Sequence, residues 1–171
     1  NIAIGSQALR LYATGSGTHV AIGNSSLWSI TTGTSNLAIG QYALNLLNGS
    51  SGNVAVGHQA MQNTTASTES VAVGIQAMWK NTTGSLNTAL GGEALGNNTT
   101  GSSNVAIGYT ALGAAGSPAA NVGSFSVAIG NAALSTNTGS NNVAIGDNAL
   151  SASTSGADNV AVGYYAGRNV A

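Results

Sequence analysis

The 171-residue sequence has no cysteine, one proline and only seven charged side chains, three basic and four acidic. Without cysteine, no disulfide can stabilise the fold. Charged residues make up 4% of the chain, against about 25% in an ordinary soluble domain, so solubility must rest on Ser, Thr, Asn and Gln. A net charge of −1 offers no electrostatic attraction to DNA or RNA, and we expect no nucleic-acid partner.

Long apolar runs are also missing. No stretch approaches the roughly 20 apolar residues that a membrane-spanning helix needs, so we expect no membrane insertion. The chain has neither an initiator methionine nor a signal-peptide pattern, and it begins on the first residue of a repeat. We therefore expect a segment of a longer fibrous protein whose flanking domains cover the two open ends.

What the sequence does contain is one pentapeptide, Asn-Val-Ala-Ile-Gly or a close variant, ten times over. Successive glycines of this pentapeptide are 16 to 18 residues apart, except for one gap of 22. So regular a period is typical of a solenoid, in which each repeat adds one coil to a stack. The sequence predicts one all-β domain over 1–171, a parallel β-solenoid (or β-roll) of about ten 17-residue coils. The ten glycines are Gly5, Gly23, Gly40, Gly57, Gly74, Gly91, Gly108, Gly130, Gly146 and Gly163.

We number the coils 1 to 10 in chain order and count positions within a coil from this glycine as zero. Each position has its own residue preference. Positions −3 and −1 are almost all Val, Ile or Leu, which predicts a short strand with one apolar face. We expect that face to point into a thin core, opposite a second strand formed by an Ala-Leu pair at +3 and +4. Asn at −4 predicts a ladder of amide-to-amide hydrogen bonds.

Position −2 is alanine in all ten coils. An exposed strand position would drift to Thr, Ser or Lys, so this uniformity indicates close packing. Because each coil is too short to fold back once more, we expect the alanines to pack against another chain. The predicted subunit-packing residues are Ala3, Ala21, Ala38, Ala55, Ala72, Ala89, Ala106, Ala128, Ala144 and Ala161.

The unit Asn-Val-Ala-Ile-Gly-x-x-Ala-Leu is followed in coils 5 and 6 by Asn-Thr-Thr-Gly-Ser, at 81–85 and 98–102. This unit resembles the head repeats of trimeric autotransporter adhesins of the YadA type. It is still more similar to repeats of phage tail fibres and bacterial surface proteins, because the autotransporter repeat is usually shorter. The resemblance implies a left-handed parallel β-roll, a parallel homotrimer and attachment to a host surface. It also implies an extracellular location, in a virion tail fibre or on a bacterial cell surface.

No catalytic or metal-binding constellation is visible in the sequence. His19 and His58 occupy different repeat positions, and the four carboxylates are spread over several coils. No carboxylate pair is placed for acid–base chemistry or glycoside cleavage, and the glycines form no phosphate-binding motif. We therefore predict no enzyme activity, no metal site and no cofactor.

Breaks in the repeat are the candidate recognition sites. Exposed aromatic rings can stack on the sugars of a host glycan, or they can cover the Leu row or a neighbouring subunit. The extra residues of the long gap lie within 113–125, and we expect them to protrude as a loop. Coils 1 to 3 carry apolar residues at +6 and +7, which predicts extra apolar surface on the turn side. The candidate glycan or receptor contacts are Trp28, Tyr42, Trp79, Tyr109, Pro118, Phe125, Tyr164 and Tyr165.

The leading hypothesis from the sequence is a structural adhesin, a rigid trimeric shaft or head of a phage tail fibre or bacterial surface fibre. The alternative is a monomeric ice- or surface-binding solenoid, suggested by threonine recurring at +8. A polysaccharide depolymerase is a third hypothesis, and it requires paired carboxylates that the sequence does not display.

Overall fold

The computed structural model describes residues 1–12, 17–113 and 123–169, and in them each pentapeptide forms one short parallel strand. These residues contain no helix, and hence none that is long and apolar enough to cross a membrane. The predicted all-β parallel solenoid is confirmed, while Pro118 and the inserted residues 114–122 lie outside the described residues. The strands are β1 Ile2–Ile4, β2 His19–Ile22, β3 Asn36–Ile39, β4 Val54–Val56, β5 Val71–Val73, β6 Thr88–Leu90, β7 Val105–Ile107, β8 Val127–Ile129, β9 Val143–Ile145 and β10 Val160–Val162.

The ten strands form one sheet in chain order, and every neighbouring pair is parallel. Strands pair at equal repeat positions, so that Ala38 lies beside Ala55 and Ala55 beside Ala72. Each position of the repeat therefore becomes a straight column of side chains along the stack. Since hydrogen-bonded strands lie about 4.8 Å apart, the ten strands span about 43 Å.

The two faces of the strand are reversed relative to the prediction. Position −2 points into the coil, and the alanines from Ala21 to Ala144 are fully buried within a single chain. They pack in one core cluster with the Ala at +3 and the Leu or Met at +4. The Val and Ile side chains at −3 and −1 lie on the outside, where Val71 is 37% and Leu90 48% exposed.

Small side chains are needed at −2 because the strand lies directly against the +3 and +4 segment of its own coil. The prediction that Val and Ile face the core is therefore wrong. The prediction that the alanines pack against another chain is also wrong, because a fully buried side chain cannot touch a second chain. Only Ala3, in the edge strand β1, is exposed. For Ala3 the predicted contact with another chain stays a prediction. The prediction is wrong for Ala21, Ala38, Ala55, Ala72, Ala89, Ala106, Ala128, Ala144 and Ala161, which are buried within their own chain.

The segment after the glycine is not the predicted second strand. Its non-glycine residues at +2 and +4 have left-handed backbone, as at Tyr42 (φ 60°) and Leu44 (φ 49°). This conformation costs about 1–2 kcal/mol for an L-residue. Hydrogen bonds to both neighbouring coils hold it in place: the N–H of Tyr42 donates to the Asn24 carbonyl at 3.0 Å, and that of Leu44 to the Ala60 carbonyl at 3.1 Å. The N–H at +2 thus points to the preceding coil and the N–H at +4 to the following one.

The glycine at position zero is required by close stacking. Its φ lies between 125° and 139° in all ten coils, a region that side-chain-bearing residues rarely adopt. A Cβ added to Gly40 would also collide with the carbonyl group of Gly57 in the next coil. The φ constraint acts in all ten coils and the collision in coils 1 to 9, and the strand ends before this glycine in each.

A ladder of polar side chains at −4 runs through the whole stack. In nine consecutive links, the side chain of one coil accepts a hydrogen bond from the backbone N–H at −4 of the next coil. Asn36 Oδ1, for example, accepts from the Asn53 N–H at 2.9 Å. The Nδ2 group of Asn53 crosses its own coil to the Ser67 carbonyl at 2.7 Å. The predicted ladder is present, but its links run from backbone to side chain more often than between amides.

Candidate interaction surface

The side chains at −3 and −1 of β1 to β10 form one apolar surface, which we call the outer face. The only polar residue in these two columns is Thr88, and neither column contains a charge. The terminal strands expose the face most, with Val160 at 75%. Val and Ile are stiff at χ1 and pack well on pleated surfaces. A monomeric protein rarely exposes a continuous apolar patch of this length, so the outer face is the candidate interaction surface of this chain.

Two further columns border the outer face, one at −5 before the strand and one at +1 after it. Most −5 residues are polar, but Leu86 and Phe125 are exposed apolar residues there. The +1 column contains exposed Ile75, Tyr109 and Tyr164. Apolar surface thus extends past the strand on both sides in the middle coils.

The two tryptophans lie away from the outer face, at +5. Both are half-buried. Trp79 leans along the stack, since its Nε1 donates to Gln62 Oε1 at 3.1 Å, and Lys80 Nζ lies 5.6 Å from the ring centroid. The Nε1 of Trp28 is buried without a hydrogen-bond partner. Each ring is therefore only partly accessible to a sugar.

The other predicted contact residues do not form a single site. Tyr109 and Phe125 lie on opposite borders of the outer face, and Tyr42 is half-buried. Tyr164 and Tyr165 form an edge-to-face pair with centroids 4.3 Å apart in coil 10, with Arg168 4.9 Å from the Tyr165 ring. The structure therefore distributes these rings over several coils and three sides of the solenoid.

His19 belongs to the polar ladder and replaces an asparagine there. Its Nδ1 accepts from the Asn36 N–H at 3.3 Å, as an Asn Oδ1 does in other coils. The ring also interacts with the carbonyl of Gly33, the same +10 position that accepts the Asn Nδ2 elsewhere, although Nε2 makes no well-formed hydrogen bond. Burial lowers the pKa of His19, with the Gly33 carbonyl opposing it. Histidine thus serves as a neutral ladder member.

No group of three His, Cys, Asp or Glu residues that could bind a metal ion occurs in 1–12, 17–113 or 123–169. The threonines at +8 use their hydroxyl groups within the stack, as Thr82 Oγ1 donates to the Thr99 carbonyl and Thr138 Oγ1 to the Thr154 carbonyl, both at 2.8 Å. The chemical character of the described surface is therefore apolar on the outer face and hydroxyl- and amide-rich on the turns.

The outer face was not predicted, although the sequence contains a pattern that indicates it. Two columns of large apolar residues flank a column of alanine, and only the alanine column fits inside a coil this narrow. Comparison of the chain with protein-family models, curated proteins and solved structures finds no match.

Proposed function

We propose that this chain is a segment of a rigid homotrimeric fibre in which the outer faces of three parallel copies meet around a common axis. The observation that carries the proposal is the outer face itself, ten coils of Val, Ile and Leu side chains with one threonine and no charge among them. The trimeric state and the left-handed coil come from the resemblance to trimeric fibre repeats.

The size of the face is sufficient for a stable interface. Ten strands span about 43 Å, and the seven residues from −5 to +1 span at most about 20 Å, which gives a footprint of up to roughly 850 Å². A standard stable interface buries about 800 Å² on each partner. The Val, Ile and Leu side chains in that footprint contribute about 25 cal/mol per Å² of apolar surface buried. This contribution acts against the roughly 4–15 kcal/mol of freedom lost on association.

The regular stack favours a parallel arrangement. Equal positions occupy equal heights in every copy, so a rotation axis parallel to the rod brings each coil against its own equivalent. Closed cyclic symmetry of this kind is the usual solution for homo-oligomers. Association would also cover the apolar surface that the isolated chain exposes.

The role that follows is mechanical. The −4 ladder and the sheet connect all ten coils without interruption, which makes the segment stiff along its axis. A stiff, weakly charged rod suits a spacer or head that reaches a host surface, in a phage tail fibre or on a bacterial cell. In this proposal the segment is extracellular and has no catalytic activity.

The proposal is tested by the mass of the chain in solution. Light scattering coupled to gel filtration should give three times the chain mass of 16.6 kDa. The double variant Val71→Asp/Leu90→Asp places charges in the middle of the outer face and should yield monomers. Thr100→Asp, on an exposed turn, is the matched control and should remain trimeric. A wild-type chain that stays monomeric at high concentration would contradict the proposal.

A further inference from the structure

We infer that Leu86 of one copy packs into a hollow at Gly92 of the neighbouring copy, and that this contact sets the axial register of the trimer. The inference rests on the proposed function, since it requires parallel copies that meet through the outer face. It adds a specific contact between the −5 and +1 columns at the two borders of that face.

Symmetry determines which borders meet. A rotation about an axis parallel to the rod leaves every coil at its own height. Such a rotation also brings the −5 border of one outer face against the +1 border of the next, whatever the number of copies. Leu86 at −5 and Gly92 at +1 both belong to coil 6, so they face each other across the interface.

The hollow exists because Gly92 has no side chain between two large ones. Ile75 of coil 5 and Tyr109 of coil 7 are 62% and 55% exposed on either side of it, and Glu93 completes its wall. A Cβ added to Gly92 would lie 3.4 Å from Tyr109 Cδ2, so the ring stands beside the gap. Two coil spacings, about 9.6 Å, separate the backbones of coils 5 and 7 here. The open hollow that these residues line has a volume of about 500 Å³, which is enough for one leucine side chain.

Leu86 is the protrusion that matches this hollow. Its side chain is 55% exposed, and its backbone is left-handed with φ 60°. The N–H of Leu86 is fixed to the Thr68 carbonyl at 3.0 Å. Ser, Asn, Asp or Glu stand at this position in most other coils. A lone solenoid gains nothing from a leucine in an exposed left-handed turn, whereas a neighbouring copy would bury it.

A register device is needed because the outer face is nearly identical in every coil. An axial slip by one coil, about 4.8 Å, would exchange Val for Val and Ile for Ile, and would lose contacts only at the ends. The same slip would bring Leu86 against the side chain of Ile75 or Tyr109 instead of the gap. Coil 6 therefore distinguishes the aligned trimer from the slipped ones.

Disulfide trapping tests this contact in a chain that has no cysteine of its own. Leu86→Cys/Gly92→Cys should form a covalent trimer on oxidation, visible on a non-reducing denaturing gel. Strand β6 lies between the two positions in one copy, and a disulfide requires Cα atoms within about 7 Å, so the link must join copies. Gly92 lacks the left-handed backbone of the strand-ending glycines, so it accepts a cysteine.

The matched control pairs Leu86→Cys with Gln41→Cys, a +1 residue three coils lower and hence displaced by about 14 Å. This pair should give no covalent trimer. If light scattering shows trimers but the aligned pair does not link, or the displaced pair links as well, the contact is refuted and the proposed trimer stands. If both double variants and the wild type are monomeric, the proposed function falls and the contact with it.

Discussion

Coils 2 and 3 differ from coils 5 and 6 in what fills the interior at position +7. Ile30 and Leu47 fill it in the earlier coils, and Asn81 and Asn98 in the later ones, all fully buried. The turn that leads into this position recurs in both regions, since the N–H at +7 donates to the carbonyl at +4, from Leu47 at 3.3 Å and from Asn81 at 3.1 Å. This turn thus accepts either an apolar or a polar filling at +7.

The polar filling is accepted because its hydrogen bonds are satisfied. Asn98 Nδ2 donates to Asn81 Oδ1 and to the Gly101 carbonyl, both at 2.9 Å, and its Oδ1 accepts from the Gly101 N–H at 3.1 Å. Thr64 lies at the boundary between the two regions, and its hydroxyl is buried without a partner. Buried polar groups stabilise a core only when they are paired. The early apolar residues therefore belong to the core, and the predicted extra apolar surface is wrong for Ile30 and Leu47.

The largest expected loss of stability comes from placing the asparagine of the later coils at position +7 of an earlier coil. Leu47→Asn loses the burial of a leucine and adds an amide without partners, for a total cost of about 3–6 kcal/mol. Urea unfolding followed by circular dichroism measures the loss. Leu46→Asn, the neighbouring half-exposed position, is the control and should cost less than about 1 kcal/mol. Equal losses in the two variants would show that position 47 is not a true apolar core site.

The reverse exchange, asparagine to leucine in a later coil, should cost less stability, and a second substitution should restore part of the loss. Asn98→Leu leaves Asn81 Oδ1 and the Gly101 N–H unpaired, which costs about 2–4 kcal/mol. Asn81→Leu/Asn98→Leu also removes the amide that Asn98→Leu leaves unpaired. Its loss in the free energy of unfolding should be less than the sum of the losses in the two single variants, because the residues are coupled. Additive losses in this double-mutant cycle would contradict the paired ladder.

The boundary between coils 1 and 2 should respond to pH through His19. Burial lowers the pKa of His19 below its ordinary value of 6.5. At acid pH the unfolded chain therefore binds a proton that the folded chain does not, and stability falls as the pH drops below about 6.5. His19→Asn keeps the ladder without titrating, so the stability difference between this variant and the wild type should grow with acidity.

Thermal unfolding between pH 5 and 8 measures the His19 effect. His58→Asn is the control, because His58 is exposed and outside the ladder. A difference that does not change with pH would show that the His19 ring is not held in its neutral form by the fold.

The smallest effect is expected at Thr64. Thr64→Val replaces a buried unpaired hydroxyl with a methyl group of similar shape, and should be neutral or stabilising by up to about 1 kcal/mol. Thr65→Val is the matched control one residue away, because Thr65 Oγ1 donates to the Thr82 carbonyl at 3.2 Å. Thr65→Val should lower the free energy of unfolding by a few tenths of a kcal/mol, because it removes an exposed hydrogen bond. A clear loss in Thr64→Val would indicate a hydrogen-bond partner for its hydroxyl.

Much of the architecture was predictable because it depends on the spacing of the repeats. The spacing of Gly40, Gly57 and Gly74 fixes the coil length, and equal coil lengths place equal positions side by side, as the pairing of Ala38, Ala55 and Ala72 confirms. The polar ladder followed from the same periodicity. The conformation of Leu44 could not be predicted, since leucine strongly disfavours the left-handed region and is held there by a bond to the next coil and by core packing.

By itself, the sequence determined the number of coils, their parallel order, the position of each strand and the glycine that ends it. Only the tertiary structure decided which side of the strand is inside. An alternating strand defines two faces but not their direction, and the direction depends on the space between that strand and the rest of its coil. Here that space admits alanine and leaves Val and Ile outside. The surface proposed to bind other copies is thus the one that a reading of hydrophobicity alone assigns to the core.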